Sequence, residues 1–101
     1  MQGEIWWLTL PDDKARPALV VTRSEIIPAL RNVVVAPITS TLRSGPTFIP
    51  VGADEGLDHD SVVAMDGITS VPKIYLTRRI GELDTLRHRD MCAALNALAD
   101  C

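Results

Sequence analysis

The sequence predicts a mainly β (α+β) domain, in which a small, strongly bent sheet or barrel is followed by one C-terminal α-helix. Short apolar segments alternate at close spacing with turn residues, which is typical of such β folds. A clear helical periodicity occurs only near the C-terminus. The 101 residues leave room for one core, so we expect a single domain over residues 1–101.

The predicted strands are apolar segments that end at turns: Gly3–Leu10, Arg16–Thr22, Asn32–Thr39, Thr47–Val51, Ser61–Met65, Ile68–Val71 and Ile80–Leu83. Arg16-Pro17 holds the start of the second strand extended, and Pro37 requires a bulge or an edge in the third. Pro28 limits the segment Ser24–Leu30 to a short helical turn. Asp66-Gly67 favours a tight hairpin between the two strands that flank it.

The C-terminal segment predicts the one clear α-helix. Asp84 is a good N-cap, and Met91, Leu95 and Leu98 recur at the spacing of one helix face. Leu86 flanks this apolar stripe. The helix closes the chain.

Composition excludes several classes of protein. Hydrophobic residues make up 47% of the chain and charged residues 23%, which favours a folded domain over a disordered one. No apolar run approaches the roughly 18 residues of a membrane span. The N-terminus lacks the basic region of a secretory signal, so we expect a cytoplasmic protein. The small size favours a dimer.

The common motifs for cofactors and metals do not occur in the sequence. We find no glycine-rich phosphate loop and no zinc-ligand spacing, and we therefore expect no cofactor and no metal. Cys92 and Cys101 show no disulfide framework. His59 and His88 are expected to face solvent rather than to act in catalysis.

Charge is distributed unevenly along the chain. The net charge of −3 argues weakly against an indiscriminate nucleic-acid binder. Residues 14–43 carry five basic side chains and one acidic side chain, whereas residues 44–72 carry five acidic and no basic ones. A basic and an acidic surface can therefore coexist, the first available to a polyanion, and ordinary solvation of charged residues explains the pattern equally well.

Polar residues cluster where the second predicted strand begins and the third ends. Arg16 starts one strand, and Thr39-Ser40-Thr41 ends the other. If the two strands pair antiparallel, Arg16 lies next to Thr39. A guanidinium beside a hydroxyl suits a phosphodiester, because it donates paired hydrogen bonds to the non-bridging oxygens. The same residue types also fit an arginine paired with a nearby acid and a hydroxyl that caps a loop.

Six segments occur in one order along nearly the whole chain: Gly3-Glu4-Ile5-Trp6-Trp7, Arg16–Val21, Ala36–Ser40, Glu55-Gly56-Leu57, Asp60–Val63 and Arg79–Leu83. In these segments and in their order the sequence resembles the MazF/PemK (Kid) family of toxin endoribonucleases. In its short first loop and in the stretch Asp13–Arg31 it is most similar to the mycobacterial members. No single segment is specific, but the combination is hard to obtain by chance.

This resemblance implies an SH3-like barrel, a homodimer, a MazE-like antitoxin and growth-inhibiting cleavage of single-stranded RNA at short specific sequences. The family's catalytic arginine matches Arg16, and its catalytic threonine matches Thr39. The implied reaction is metal-independent attack of the ribose 2′-hydroxyl on the adjacent phosphate, which leaves 2′,3′-cyclic phosphate and 5′-hydroxyl ends. DNA lacks that hydroxyl and is not expected to be a substrate.

Two departures from the family pattern concern the site. Asp66 matches a carboxylate that some members use in catalysis, but it also fits a turn-forming residue before Gly67. Some members carry an arginine where this chain has Ala64. The loop of residues 11–15 is shorter than in many members. We therefore expect RNA contacts from residues near the two strand ends: Lys14, Ser40, Thr41 and Arg43.

Trp6 and Trp7 point to opposite faces of their strand, so one of them is expected in the core. The other is expected in dimer packing or, as the alternative, in a stacking platform for RNA. Two functions stay open for the whole chain. The presence of both Arg16 and Thr39 favours a sequence-specific endoribonuclease, whereas Ala64 and the short loop favour a catalytically attenuated barrel that binds RNA or antitoxin without turnover.

Overall fold

A computed structural model describes residues 1–99 and shows seven strands followed by one α-helix. The strands are β1 (Glu4–Leu8), β2 (Arg16–Val20), β3 (Asn32–Thr39), β4 (Phe48–Val51), β5 (Ser61–Ala64), β6 (Thr69–Pro72) and β7 (Leu76–Glu82), and the helix is α1 (His88–Leu98). All strand pairs are antiparallel. The predicted mainly β fold with a C-terminal helix is confirmed. No helix among the described residues has the length and apolar character needed to cross a membrane.

The strands pair in the order β4-β5-β3-β2-β1-β7, and β6 pairs with β3 beside this path. One side of β3 pairs with β2. On the other side, Asn32–Val35 pair with β6, whereas Ile38 and Thr39 pair with β5. Pro37 lies where β3 exchanges one of these partners for the other, and there a missing amide donor costs least. Pro37 was expected at a bulge or at a sheet edge. The structure accommodates it instead at the change of partner strand.

The tight hairpin expected at Asp66-Gly67 is wrong. The 3₁₀ turn Met65–Gly67 joins β5 to β6, but each of these strands pairs with β3 rather than with the other. Met65 is fully buried, so it anchors the turn in the core. The eight residues of β3 are enough to hold β5 and β6 one after the other.

The C-terminal elements also differ from their predicted bounds. β7 begins at Leu76, four residues before the predicted start, because its exposed basic residues hide the apolar alternation. Asp84 caps the 3₁₀ turn Thr85–Arg87, and α1 starts only after that turn. Met91 and Ala94 are the buried residues of α1, whereas Leu98 is exposed. Cys92 is exposed and free, and Cys101 lies outside the described residues.

The core consists of two apolar clusters on opposite faces of β2. Leu19 packs into the larger cluster with Met65 and Met91, whereas Ala18 and Val20 pack into the smaller one. Successive side chains of a strand point to opposite faces, so β2 is buried on both. The prediction of a doubly buried second strand is confirmed.

The segment that follows β4 packs against β7 and thereby brings the two ends of the strand order together. Gly56 ends the 3₁₀ turn Ala53–Glu55 with a φ of 90°, a conformation that favours glycine. A Cβ atom on Gly81 would overlap the carbonyl group of Glu55. The two backbones can approach this closely only because no side chain lies between them.

Gly81→Ala is expected to lower the free energy of unfolding by about 2 kcal/mol, because the added Cβ meets backbone that cannot rotate away. Thermal unfolding followed by circular dichroism measures the effect. Gly67→Ala is the matched control, since its Cβ would meet only the ring of Pro37, at 3.0 Å. Equal losses in the two variants would contradict the closing contact.

Glu4 joins the chain start to β7. Its carboxylate accepts hydrogen bonds from the Met1 ammonium group at 2.8 Å, the Arg79 Nε at 2.9 Å and the Trp6 Nε1 at 3.2 Å. Burial raises the pKa of Glu4. The hydrogen bonds from Met1, Arg79 and Trp6, with the charge of the ammonium group, outweigh burial and lower the pKa from 4.5 to about 2.

Glu4→Gln is expected to lower the free energy of unfolding by about 1 kcal/mol at pH 7. Because the folded pKa lies below the unfolded pKa, the stabilisation is complete above about pH 4.5 and is lost as the pH falls through about 2. Urea unfolding of both proteins between pH 2 and pH 7 tests this. Glu82→Gln, which removes an exposed partner of Arg79, is the control with an effect near zero. A difference between Glu4→Gln and wild type that does not change with pH would contradict the role of the charge.

Candidate functional site

Arg16 and Thr39 lie side by side, where β2 begins and β3 ends. The two strands pair antiparallel with Ala18 opposite Pro37, and two further steps along this register bring Arg16 opposite Thr39. The antiparallel pairing on which their proximity depended is confirmed. The side chain of Arg16 is 51% exposed, and Thr39 is half-buried. Both are therefore accessible to a ligand.

Both residues line a groove of about 420 Å³. The strands contribute Trp7, Arg16, Pro17, Ile38, Thr39 and Arg78 to its lining. The loop between β4 and β5 forms the facing wall with residues 56–59. The groove thus combines strand residues with a loop wall, and Lys14, Ala15 and Ser40 from two further connections complete its lining. Catalytic residues are commonly positioned in this way.

The polar groups of Arg16 and Thr39 are only lightly engaged. Arg16 Nη2 lies 3.5 Å from Asp13 Oδ1, and both side chains are about half exposed, so this ion pair is weak. The hydroxyl oxygen of Thr39 accepts a hydrogen bond from the amide of Thr41 at 3.1 Å. That bond orients the hydroxyl and leaves its own hydrogen available for a ligand oxygen.

Polar contacts hold the loop wall in place. Glu55 is only 7% exposed and accepts a hydrogen bond from the amide of Gly52 at 2.6 Å. Arg87, just before α1, lies 3.5 Å from the Glu55 carboxylate and donates to the carbonyl of Pro50 at 2.7 Å. At the far end of the loop, the Ser61 hydroxyl donates to the carbonyl of His59 at 3.0 Å.

The two tryptophans have different surroundings. Trp6 packs against the smaller core cluster but is only half-buried, as is Trp7, so neither tryptophan lies fully in the core as was expected of one of them. Trp7 lines the groove and lies opposite Arg78 in the β1–β7 pairing. The guanidinium carbon of Arg78 is 5.8 Å from the centre of the Trp7 ring. This distance is within the range of a cation–π contact.

The chain as a whole has known relatives. Residues 1–100 match the family described as PemK-like, MazF-like toxin of type II toxin-antitoxin system. The chain belongs to this family. It is 49% identical over 71 residues to the endoribonuclease MazF3 of Mycobacterium tuberculosis, covering 70% of this chain and 69% of that protein. The probable endoribonuclease MazF5 of the same species is 35% identical over 102 residues, covering 99% and 93%. The solved structure of the Mycobacterium tuberculosis toxin MazF-mt6 is 40% identical, with a TM-score of 0.88 and 94% of each chain covered.

The groove of this MazF-like chain brings together four of the residues that the sequence singled out: Lys14, Arg16, Thr39 and Ser40. Thr41 is exposed and contacts the site through the hydrogen bond that its backbone N–H donates to the Thr39 hydroxyl oxygen. Arg43 lines a second pocket, together with Asp54, Asp60 and other residues. Asp66 is exposed in the turn after β5 and does not line this groove. The roles suggested for all of these residues stay predictions.

Sequence reasoning missed His59 as a residue of the MazF-like site. His59 is exposed, as expected, but it also lines the groove on the wall facing Arg16. Twenty positions separate it from Thr39 along the chain. The signal that identifies it is the pairing of Thr39 with Val62, which brings the start of β5 to the end of β3.

Positive charge predominates in the groove of this MazF-like chain. Lys14, Arg16 and Arg78 line it, with Asp58 as the only carboxylate among the lining residues. Among residues 1–99, no three His, Cys, Asp or Glu side chains are grouped in a way that could hold a metal ion. The chemistry that this arrangement supports directly is electrostatic binding of an anionic group such as phosphate.

Proposed function

We propose that this chain is a toxin endoribonuclease that cleaves single-stranded RNA at short specific sequences without a metal ion. On this proposal it acts in the cytoplasm as a homodimer, inhibits translation and growth, and is neutralised by a MazE-like antitoxin. The family and the endoribonuclease relatives support it. The observation that carries it is the shared groove of Arg16 and Thr39.

In the proposed reaction, the ribose 2′-oxygen forms a bond to the adjacent phosphorus, and the bond from phosphorus to the 5′-oxygen breaks. The products are a 2′,3′-cyclic phosphate and a 5′-hydroxyl. Arg16 donates hydrogen bonds to the non-bridging oxygens and stabilises the charge that develops there. Thr39 donates its hydroxyl hydrogen to the same phosphate and orients it. DNA is not cleaved because it lacks the attacking hydroxyl.

The reaction also needs two proton transfers, one from the 2′-hydroxyl and one to the departing 5′-oxygen. Histidine is the side chain that most readily exchanges protons near neutral pH. His59 lines the same groove as Lys14, Arg16 and Arg78. Its neighbours in the chain are Asp58 and Asp60. We assign one of the two proton transfers to His59.

Arg16→Ala is expected to lower the cleavage rate about 100- to 1,000-fold, because the transition-state charge loses its main donor. The test incubates purified protein with a long single-stranded RNA in EDTA and maps both new ends. Wild-type protein should give discrete cuts with 2′,3′-cyclic phosphate and 5′-hydroxyl ends, and a DNA of the same sequence should stay intact.

Arg23→Ala is the matched control for that experiment, since Arg23 is exposed and is not among the residues that line the groove. It should cleave like wild type. Cuts that persist in Arg16→Ala would contradict the assigned role of Arg16. Intact RNA from folded wild-type protein, across several unrelated RNAs, would instead favour the attenuated barrel that binds without turnover, and Ala64 would then be the first position to change.

His59→Gln is expected to lower kcat about 100-fold with little change in KM, because glutamine keeps the polar contact but transfers no proton. His88→Gln is the control with the same substitution outside the groove, at the start of α1. A kcat of His59→Gln equal to that of wild type would exclude His59 from proton transfer.

A further inference from the structure

Trp7 and Arg78 lie in contact in the lining of the groove. They are directly opposite in the antiparallel pairing of β1 and β7, so their side chains share one face of the sheet. Trp7 is half-buried and Arg78 is exposed, which fixes the ring and leaves the guanidinium accessible. The guanidinium carbon lies 5.8 Å from the ring centre, and a cation–π interaction at this distance stabilises the pair.

The charge of Arg78 is not used by the fold. Its neighbour Arg79 pairs with Glu4 at 2.9 Å and with Glu82 at 3.6 Å. Among residues 1–99, Arg78 makes no ion pair within 4.0 Å. Two adjacent arginines therefore differ in role, because Arg79 stabilises the sheet and Arg78 lies over an aromatic ring in the groove.

The Trp7–Arg78 pair and the residues of the phosphate site line one groove. Thr39, Arg16, Trp7 and Arg78 lie on four neighbouring strands, in the order β3, β2, β1 and β7. In the β1–β2 pairing Trp7 lies opposite Pro17, the residue next to Arg16, and it lines the same groove that a phosphate held between Arg16 and Thr39 would occupy. A base attached to a nucleotide next to that phosphate can reach the ring.

We propose that Trp7 and Arg78 form a subsite that stacks one unpaired base next to the cleaved phosphate. This inference rests on the proposed endoribonuclease function. Proteins recognise single-stranded RNA by stacking its bases on aromatic rings and on arginine planes. The subsite binds the substrate and positions the phosphate, and it takes no part in the bond changes.

The test uses a short RNA that contains the mapped cut site, and two versions with an abasic ribose on either side of the cut. Trp7→Leu is expected to raise KM on the intact RNA about 5- to 100-fold, the range that loss of one stacked base produces. Wild-type protein should lose a similar factor on one of the abasic RNAs. Trp7→Leu should lose nothing further on that RNA, since the base and the ring act as one pair.

Two more variants separate stacking from a structural role. Trp7→Phe should restore most of the affinity, because phenylalanine keeps a stacking face, and it remains informative if Trp7→Leu fails to fold. Arg78→Gln should raise KM more than Arg23→Gln, which removes the same charge from an exposed site that does not line the groove.

Equal losses on the abasic RNA in wild type and Trp7→Leu, together with an unchanged KM of Arg78→Gln, would overturn the subsite while leaving the nuclease in place. An abasic RNA cleaved as well as the intact one by wild type would also overturn it. If folded wild-type protein cleaves no RNA at all, the proposed function itself fails, and this inference fails with it.

Discussion

The pairing of β3 on both of its sides is the constraint on which the site depends. β2 occupies one side with Ala18 opposite Pro37, and β6 and β5 share the other. A slip of β2 by one residue would exchange Leu19 and Ala18 between two clusters that are packed for different volumes. The core therefore determines the register, and the register brings Arg16 beside Thr39.

The opposite wall of the groove depends on other contacts. The loop after β4 approaches β7 through Gly56 and Gly81, and the buried carboxylate of Glu55 is held by Gly52 and Arg87. A buried carboxylate that lost these partners would be costly, so the loop has little freedom to move away from β7. The floor and the wall are thus fixed independently, one by strand register and the other by a buried charge and close backbone contact.

How well the sequence predicts a feature depends on how far apart along the chain the interacting residues lie. The strands and the proximity of Arg16 and Thr39 depend on local patterns and one antiparallel pairing. The position of His59 depends on the pairing of β5 with β3, which the apparent Asp66-Gly67 hairpin concealed. That turn looks local, but buried Met65 directs it, and a turn dipeptide carries no information about burial. Arg43 shows the same limit, because only the fold decides which pocket it lines.

The charge pattern of the chain acquires its meaning only in the folded state. The basic and acidic stretches do not form separate faces, since Arg16 shares its groove with Asp58 and Arg43 shares its pocket with Asp60. With a net charge of −3 and a screening length of about 8 Å at physiological salt, the chain exerts little long-range attraction on a polyanion. A polyanion must then be held by short-range contacts inside the groove. Such contacts discriminate between sequences far better than a general positive field does, because a field attracts every phosphate alike whereas a stacked base must fit.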